Sequence, residues 1–310
     1  SYMRWPTVVG PFCVIIGKHL NNFDIGDLPF SYVTEEGGES LCTPAMNMFT
    51  VSTVRDGDKW PSRDRRTATV KRDQIGFAVY GPYTVGKMIA GETALNTLYE
   101  ATARDVEQVR YKGVIIKRLL LRRSARNYAS GIDAYLQGKV LARAAEARAA
   151  GDTDALRQAL SAGGGIFSAE WADIGGLLMP RERLLRIEGD IESGKLSTPA
   201  QVDAAFAAAH TTSDDDEWEW VRAVWQQRTG GAVEELSLAE LDEIDQAHKK
   251  ASSTFVKKIL ADAEKEFDPI ARFGYGADAG DEARDSDFAA VRGTFESNSF
   301  VRQMQERLDS

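Results

Sequence analysis

Helical periodicity dominates the chain beyond Tyr83, and it restricts the fold more than any other feature. Ser237 and Glu240 form a capping-box pattern, in which both side chains accept hydrogen bonds from amides at a helix start. Apolar residues then recur every three or four positions, at Leu241, Ile244, Ala251, Phe255 and Ile259. This spacing places them on one face and predicts a long amphipathic helix.

Two further start signals precede this helix. Thr198 can cap a helix that carries Pro199 in its first turn. The segment "TSDDDEWEW" places four acids where the helix dipole favours negative charge, and they are Asp214, Asp215, Asp216 and Glu217. We interpret these acids as helix caps and not as a metal site, because consecutive helical side chains point in different directions.

The helix after these acids has an apolar side that we expect to face inward, and it carries Trp218, Val221 and Trp225. Further helices are predicted over 83–107, 112–150, 153–161, 180–193 and 283–308, with breaks at "SAGGGIFS" and "GYGADAGDEA". The second half is therefore predicted to be essentially all-α.

The first 33 residues have a different pattern. Three aliphatic residues each precede a glycine, at Val9-Gly10, Ile16-Gly17 and Ile25-Gly26. Such pairs are typical of the turns of hexapeptide-repeat β-helices, but the spacing is irregular and spans at most one final coil. Two or three short strands with glycine turns explain the pattern equally well.

The composition argues against several classes of function. The chain has 310 residues, with 47 acidic and 38 basic side chains and a formal net charge of -9. This charge disfavours nonspecific binding to nucleic acid or to an anionic membrane. Cys13 and Cys42 are too few for a disulfide framework, and neither a membrane-length apolar run nor a signal peptide is seen. We expect a reducing, cytoplasmic location, and an N-terminal portion upstream of Ser1.

Motifs for catalysis are also absent from the sequence. No phosphate-cradling loop and no GxSxG elbow occurs. The three histidines, His19, His210 and His248, lack metal-ligand spacing, so neither a metal nor a cofactor is predicted. We assign structural roles to all three: a coil turn, a polar helix end and a hydrogen-bonded, half-buried imidazole.

The first of two basic clusters is "DGDKWPSRDRR". Its candidate ligand-binding residues supply forked and point donors suited to a sugar-phosphate or nucleotide, and they are Arg55, Lys59, Trp60, Arg63, Arg65 and Arg66. The alternative is a self-neutralising clasp with Asp56, Asp58 and Asp64, in which Arg63, Arg65 and Arg66 hold carboxylates and Trp60 lies under one guanidinium. We favour the clasp.

The second basic cluster covers 110–126 and contains no acidic residue, and its members are Arg110, Lys112, Lys117, Arg118, Arg122, Arg123 and Arg126. Arg118, Arg122 and Arg126 form one stripe at helical spacing. Stacked like charges repel, so the stripe needs an anionic partner. In a chain of net negative charge, we expect that partner to be acidic residues of a neighbouring helix, and the alternative is a bound anion.

Four segments resemble a known family: "DLPFSYV", "TPAMNMFTV", "KWPSRDRR" and "YGPYT". In this order they are similar to the C-terminal region of DUF4954, a domain-of-unknown-function family of long bacterial proteins. That family is distantly related to UDP-N-acetylglucosamine pyrophosphorylase-like hexapeptide-repeat proteins. The resemblance covers about residues 8–84 and implies a left-handed β-helix followed by a helical region. It also implies sugar-nucleotide or acyl transfer as a broad class.

We therefore expect an α+β fold. Residues 1–82 would form the terminal coil of a left-handed β-helix and an irregular connector, and 83–310 a mostly α-helical domain. The expected function is that of the C-terminal part of a hexapeptide-repeat, transferase-like protein that binds a sugar nucleotide or another phosphate-bearing ligand. The alternative, suggested by the charged amphipathic helices, is a non-catalytic module for homo-oligomer assembly or partner binding.

Overall fold

The computed structural model describes residues 1–57, 59–76, 78–276 and 279–309, and its fold is α+β. The strands are β1 (Tyr2–Met3), β2 (Val8–Val9), β3 (Val14–Ile16), β4 (Lys18–His19), β5 (Asp24–Ile25), β6 (Tyr32–Glu36), β7 (Glu39–Thr43), β8 (Gln108–Tyr111), β9 (Val114–Lys117), β10 (Trp171–Ile174) and β11 (Leu177–Pro180). The helices are α1 (Val51–Gly57), α2 (Trp60–Arg63), α3 (Pro82–Ala101), α4 (Arg118–Ala150), α5 (Thr153–Leu160), α6 (Arg181–Glu192), α7 (Pro199–Thr211), α8 (Ser213–Thr229), α9 (Leu238–Glu264), α10 (Asp281–Arg292) and α11 (Ser299–Asp309).

The first six strands form a coil of parallel pairs. Strand β1 pairs with β4, β2 with β5 and β3 with β6, and the paired residues are 16, 16 and 18 positions apart. Each strand therefore lies beside the strand one chain turn later. Gly17 permits this stacking: its φ is +111°, and an added Cβ would come within 2.8 Å of the Cβ of Glu35.

The last face of the coil extends into a five-stranded sheet with the order β3-β6-β7-β9-β8. The segment 108–117 supplies β8 and β9, so the helix predicted over 112–150 begins six residues later, at Arg118. The reason is the β-branched run of β9, in which Val114 and Ile116 are fully buried and pair along the sheet. The predicted helix over 83–107 likewise ends earlier, at Ala101.

Helix α4 lies at the centre of the protein. One buried cluster joins its side chains to the coil, to α3 and to α8, and contains Phe30, Met88, Tyr128 and Trp220. Two hydrogen bonds fix α4 to the N-terminal region: the Tyr128 hydroxyl donates to the carbonyl of Pro29 at 2.6 Å, and the Ser124 hydroxyl donates to that of Pro44 at 2.8 Å. The core is therefore continuous across the change of sequence character near Tyr83.

The second half is mostly helical but not all-α. The antiparallel hairpin β10–β11 precedes α6, with left-handed Gly175 and Gly176 at its turn. The helix predicted over 283–308 is two helices, because the chain leaves the helical conformation at Gly293, where φ is +69°. The capping box predicted at Ser237 is confirmed, and so is the cap predicted at Thr198, which forms a capping box with Gln201.

Asp214, Asp215 and Asp216 lie in the first turn of α8, as predicted, but the helix start has no side-chain cap. Two of the four acids instead bind neighbouring elements. The Asp216 carboxylate is fully buried, where it accepts hydrogen bonds from Arg183 and from the amide of Ile166. Glu217 accepts from the hydroxyl of Tyr135 and from Lys139. These acids therefore join α8 to its neighbours. The inward placement of Trp218, Val221 and Trp225 is confirmed, since all three are buried.

Candidate anion-binding groove

Most of the predicted site in 55–66 is neutralised by its own acids. Arg66 makes a forked ion pair with Asp64, with both N···O distances at 2.9 Å, and its guanidinium lies 5.8 Å from the centre of the Trp60 ring. This pair holds the pKa of Asp64 well below its usual range. The ammonium of Lys59 lies 3.0 Å from Asp56. These contacts agree with the clasp interpretation.

The clasp prediction is wrong for two of its three arginines. Arg63 and Arg65 are exposed, and neither makes an ion pair with a carboxylate in the described part of the chain. Arg55 approaches Asp56 at 3.4 Å and Glu266 at 3.6 Å. The third predicted acid, Asp58, lies outside the described residues.

The second basic cluster divides into two parts. Arg110 and Lys112 are paired with Glu39 and Asp27, at 2.6 and 2.9 Å. By contrast, no carboxylate of the described residues pairs with the remaining five, which are Lys117, Arg118, Arg122, Arg123 and Arg126. The expectation of an acidic partner for the stripe is therefore wrong.

The ring of Tyr99, and not an acidic side chain, contacts two arginines of the stripe. The guanidinium carbons of Arg118 and Arg122 lie 4.7 and 5.6 Å from the centre of its ring. Arg118 also donates to the carbonyl of Thr102. A hydrogen bond from Arg122 lowers the pKa of Tyr99. These contacts orient two of the guanidinium groups without cancelling their charge.

Two of these five cations, Lys117 and Arg123, line a groove of about 560 Å³ between the sheet and the start of α4. Its polar lining includes Thr34, Glu36, Thr43, Lys117, Arg123 and Asn127. Helix α4 begins here without a side-chain cap and without an acidic residue in its first turn. The positive end of a 33-residue helix therefore adds to the charge of the lysine and arginine side chains.

Lys258 of α9 contacts two residues of the groove lining, Asn127 and Phe49. Its ammonium lies 3.4 Å from the Asn127 side-chain oxygen and 3.9 Å from the centre of the Phe49 ring. Burial lowers its pKa, and the neighbouring positive charge of Arg123 lowers it further. The carboxylate in the groove lining, Glu36, makes no ion pair among the described residues.

The groove is equipped for binding more than for nucleophilic chemistry. Cys42 lines it, but burial raises the pKa of this thiol to about 12. The hydroxyl of Ser124 already donates a hydrogen bond to the carbonyl of Pro44. His19 is buried elsewhere in the coil, and its ring nitrogens contact the Ser40 hydroxyl at 2.8 Å and the Ile16 carbonyl at 3.2 Å. That contact pattern supports the structural role predicted for His19.

The other two histidines are also outside the groove lining. His210 lies at the end of α7, as expected, and lines a separate cavity near Lys139. His248 is half-buried against α4, but its Nδ1 atom has no hydrogen-bond partner among the described residues. The prediction that the His248 imidazole is hydrogen-bonded is therefore wrong for its Nδ1 atom.

The two halves of the chain match two different protein families. Residues 152–310 match the family described as Domain of unknown function (DUF6819). The chain belongs to this DUF6819 family. Residues 1–99 match Domain of unknown function (DUF4954), so the resemblance predicted from the four sequence segments is confirmed. No curated protein and no solved structure matches the chain.

The groove is formed by the DUF4954 region and by the start of α4. Thr34 and Thr43 lie in the DUF4954 region, and the start of α4 lies between the two matched regions. Lys258, which contacts Asn127 and Phe49 of the lining, lies in the DUF6819 region. Sequence reasoning identified the cations of α4 but missed Lys258 and the threonines. No local pattern marks these residues, because only the packing of α9 and the sheet against α4 brings them together.

Proposed function

We propose that this chain binds a phosphate-bearing ligand, of the nucleotide or sugar-nucleotide class, in the groove at the start of α4. The observation that carries the proposal is the presence of two cations in the groove lining, Lys117 and Arg123, neither of which pairs with a carboxylate among the described residues. An anion bound beside them would gain charge-assisted hydrogen bonds.

Other features of the groove suit the same ligand. The uncapped amides of α4 can donate to phosphate oxygens, and the hydroxyls of Thr34 and Thr43 can do so from the opposite wall. The volume of about 560 Å³ is in the range of small-molecule and cofactor sites. The exposed, apolar Leu119 and Met46 offer contact to an uncharged part of the ligand.

We place this binding function in the C-terminal part of a hexapeptide-repeat, transferase-like protein. The three parallel strand pairs of the coil, with their offsets of 16 to 18 residues, support a β-helix of this kind. The free thiols of Cys13 and Cys42 support a reducing, cytoplasmic location. Among the described residues, no helix combines the length and apolar character that crossing a bilayer requires.

Calorimetric titration of the chain with UDP-N-acetylglucosamine, UDP and pyrophosphate tests the proposal. We expect Lys258→Gln and Arg123→Gln each to weaken binding roughly tenfold to a hundredfold, since each removes a charged hydrogen-bond donor. Arg65→Gln is the matched control, because it removes the same charge from an exposed arginine that lacks an ion pair. Its affinity should equal that of the unaltered chain.

Two results would overturn the groove assignment. Absence of binding for all three phosphate compounds is the first. The second is an equal loss of affinity in the Arg65→Gln variant, which would return the ligand to the 55–66 stretch. A melting curve for each variant separates a loss of binding from a loss of folding.

A further inference from the structure

Strand β8 is an edge of the five-stranded sheet, and one side of its backbone lies open. The sheet order is β3-β6-β7-β9-β8, so β8 pairs with β9 alone. This pairing is antiparallel, with Tyr111 opposite Val114 across a two-residue turn and Gln108 opposite Lys117. In an antiparallel pair, successive residues direct their N–H and C=O groups alternately towards the neighbouring strand and away from it.

The backbone groups that point to the open side belong to Gln108 and Arg110. The residues that flank a two-residue hairpin turn bond to each other, so Tyr111 and then Val109 bond to β9. The amide of Arg118 continues this series, since it donates to the carbonyl of Glu107 at 2.8 Å. Gln108 and Arg110 fall between these positions and are exposed, and no residue of the described structure bonds to their N–H or C=O groups. Such an edge can accept a strand from another chain.

Unpaired cations lie at the start of this edge. A cavity of about 510 Å³ is lined by Gln108 together with Arg104, Lys117 and Arg118. None of these three cations pairs with a carboxylate among the described residues. The lining contains one acid, Glu107, so the cavity carries an excess of positive charge. Anionic side chains beside the edge would therefore be stabilised.

The same cavity also offers apolar contact. Val106 and Leu119 line it, and both side chains are exposed to solvent. Successive side chains of a strand point to opposite faces, so an added strand would direct every second side chain towards this lining. The cavity thus suits a segment that carries both acidic and apolar residues.

We propose that β8 is a docking edge for an extended acidic segment of a partner protein, which adds to the sheet beside Gln108 and Arg110. The backbone of that segment would bond to the free groups of these two residues, and its carboxylates would lie beside Arg104 and Arg118. A second copy of this chain is a poorer fit, because pairing two β8 edges would bring two positive surfaces together. A nucleic acid would supply anions but no row of peptide groups to match the strand.

Amide hydrogen exchange tests the open edge directly. In the chain alone, the amides of Gln108 and Arg110 should exchange faster than those of Val109 and Tyr111, which donate to β9. A synthetic peptide that alternates glutamate and valine is the probe, and it should slow exchange at Gln108 and Arg110. A peptide that alternates lysine and valine is its control and should leave both amides unprotected.

Two variants separate backbone pairing from charge, with fluorescence anisotropy of the labelled glutamate–valine peptide as the measurement. Gln108→Pro removes an outward N–H and keeps the bonds to β9, and we expect it to weaken binding about tenfold. Arg104→Glu lies outside the hairpin and should weaken binding about threefold to tenfold. Arg65→Glu is the matched control, because Arg65 is exposed, makes no ion pair in the described structure and does not line this cavity.

The outcomes also separate this edge from the phosphate groove, although Lys117 and Leu119 line both cavities. Peptide binding should persist in Arg123→Gln, and phosphate binding should persist in Gln108→Pro. Equal affinity for the two peptides, or no binding of the glutamate–valine peptide, would overturn the inference. Unchanged affinity in both Gln108→Pro and Arg104→Glu would overturn it as well. A dimer in light scattering that Gln108→Pro dissociates would assign the edge to a second copy and contradict the acidic partner.

Discussion

Arg183 and Asp216 form a forked ion pair that ties α6 to the start of α8. The Nε and Nη2 atoms of the arginine lie 2.5 and 2.7 Å from the two carboxylate oxygens. The Asp216 side chain is fully buried, whereas that of Arg183 is 23% exposed. The aspartate also accepts the amide of Ile166, so it fixes the glycine-rich loop before β10. Gly165 allows this close approach, because an added Cβ would lie 2.3 Å from the Asp215 carbonyl.

The two partners of this ion pair should respond unequally to mutation. Arg183→Met leaves a buried carboxylate without its cation, and we expect it to lower the free energy of unfolding by about 3 to 5 kcal/mol. Asp216→Asn should cost less, because solvent reaches the arginine that remains. Urea denaturation measures both. Arg186→Met, on the exposed side of the same helix, is the control and should change stability by less than about 0.5 kcal/mol.

Two glycines of α3 should respond to alanine in opposite ways. At Gly86 an added Cβ meets only Trp220, at 3.8 Å, so Gly86→Ala should gain about 0.5 to 1 kcal/mol of stability from helix propensity. At Gly91 the same atom would lie 2.4 Å from the carbonyl oxygen of Asp27, so Gly91→Ala should destabilise the contact between α3 and the coil. Thermal unfolding of the two variants decides the matter, and equal shifts would show that α3 does not approach the coil this closely.

Two tryptophans differ in the use of their indole donors. Trp218 donates to the carbonyl of Ser161 at 2.8 Å, and Trp218→Phe should cost about 1 kcal/mol because that part-buried carbonyl loses its donor. Trp171→Phe removes a buried donor that has no partner among the described residues, so it should be neutral or stabilising. A comparable loss for both variants in chemical denaturation would mean that the Trp171 donor is satisfied in solution.

The buried thiols predict a loss of stability in alkaline solution. Burial raises the pKa of Cys13 to about 11 and that of Cys42 to about 12, from an ordinary value of 9.0. Above pH 9 the unfolded chain releases these protons and the folded chain keeps them. The contribution of the thiols to the free energy of unfolding should therefore be constant well below pH 9 and be lost as the pH rises towards 12. Urea unfolding across this range measures the slope, and replacing both cysteines by alanine should reduce it.

The same burial predicts slow alkylation of the native protein. Iodoacetamide reacts with the thiolate, which both cysteines disfavour in the folded state. Mass spectrometry after treatment near pH 8 should show unmodified thiols without denaturant and two modified thiols in urea. Rapid modification of Cys42 under native conditions would contradict the burial of its side chain in β7.

The 55–66 stretch offers a matched pair of arginines. Arg66→Lys should lower stability measurably, because lysine cannot reproduce the forked contact with Asp64 or the guanidinium contact with Trp60. Arg65→Lys should leave stability unchanged, since Arg65 is exposed and makes no ion pair in the described structure. Differential scanning calorimetry distinguishes the two, and a larger effect at Arg65 would contradict the observed arrangement of the clasp.

Local interactions made several elements predictable from sequence. The capping boxes at Thr198 and Ser237 involve groups three residues apart, and the inward face of α8 follows from helical periodicity alone. For the caps and for this helix face the sequence by itself determined the structure, since every partner of the interaction lies within a few turns of one helix. The aliphatic-glycine pairs marked turns, of which Gly17 has positive φ, but left a coil and short strands equally open.

Only the tertiary structure decided that the segment 108–117 forms strands and which residues come together at the candidate site. The apolar run 114–116 suits a helix or a strand equally, and it became a strand because β7 offers an edge to pair with. Likewise, the spacing of Arg118, Arg122 and Arg126 shows a charged stripe but not what faces it. Lys258 reaches Asn127 through the packing of α9 on α4, and several carboxylates are held elsewhere, as Asp216 is by Arg183. Charge pairing depends on distances in space between residues far apart in the chain, and local sequence does not contain those distances.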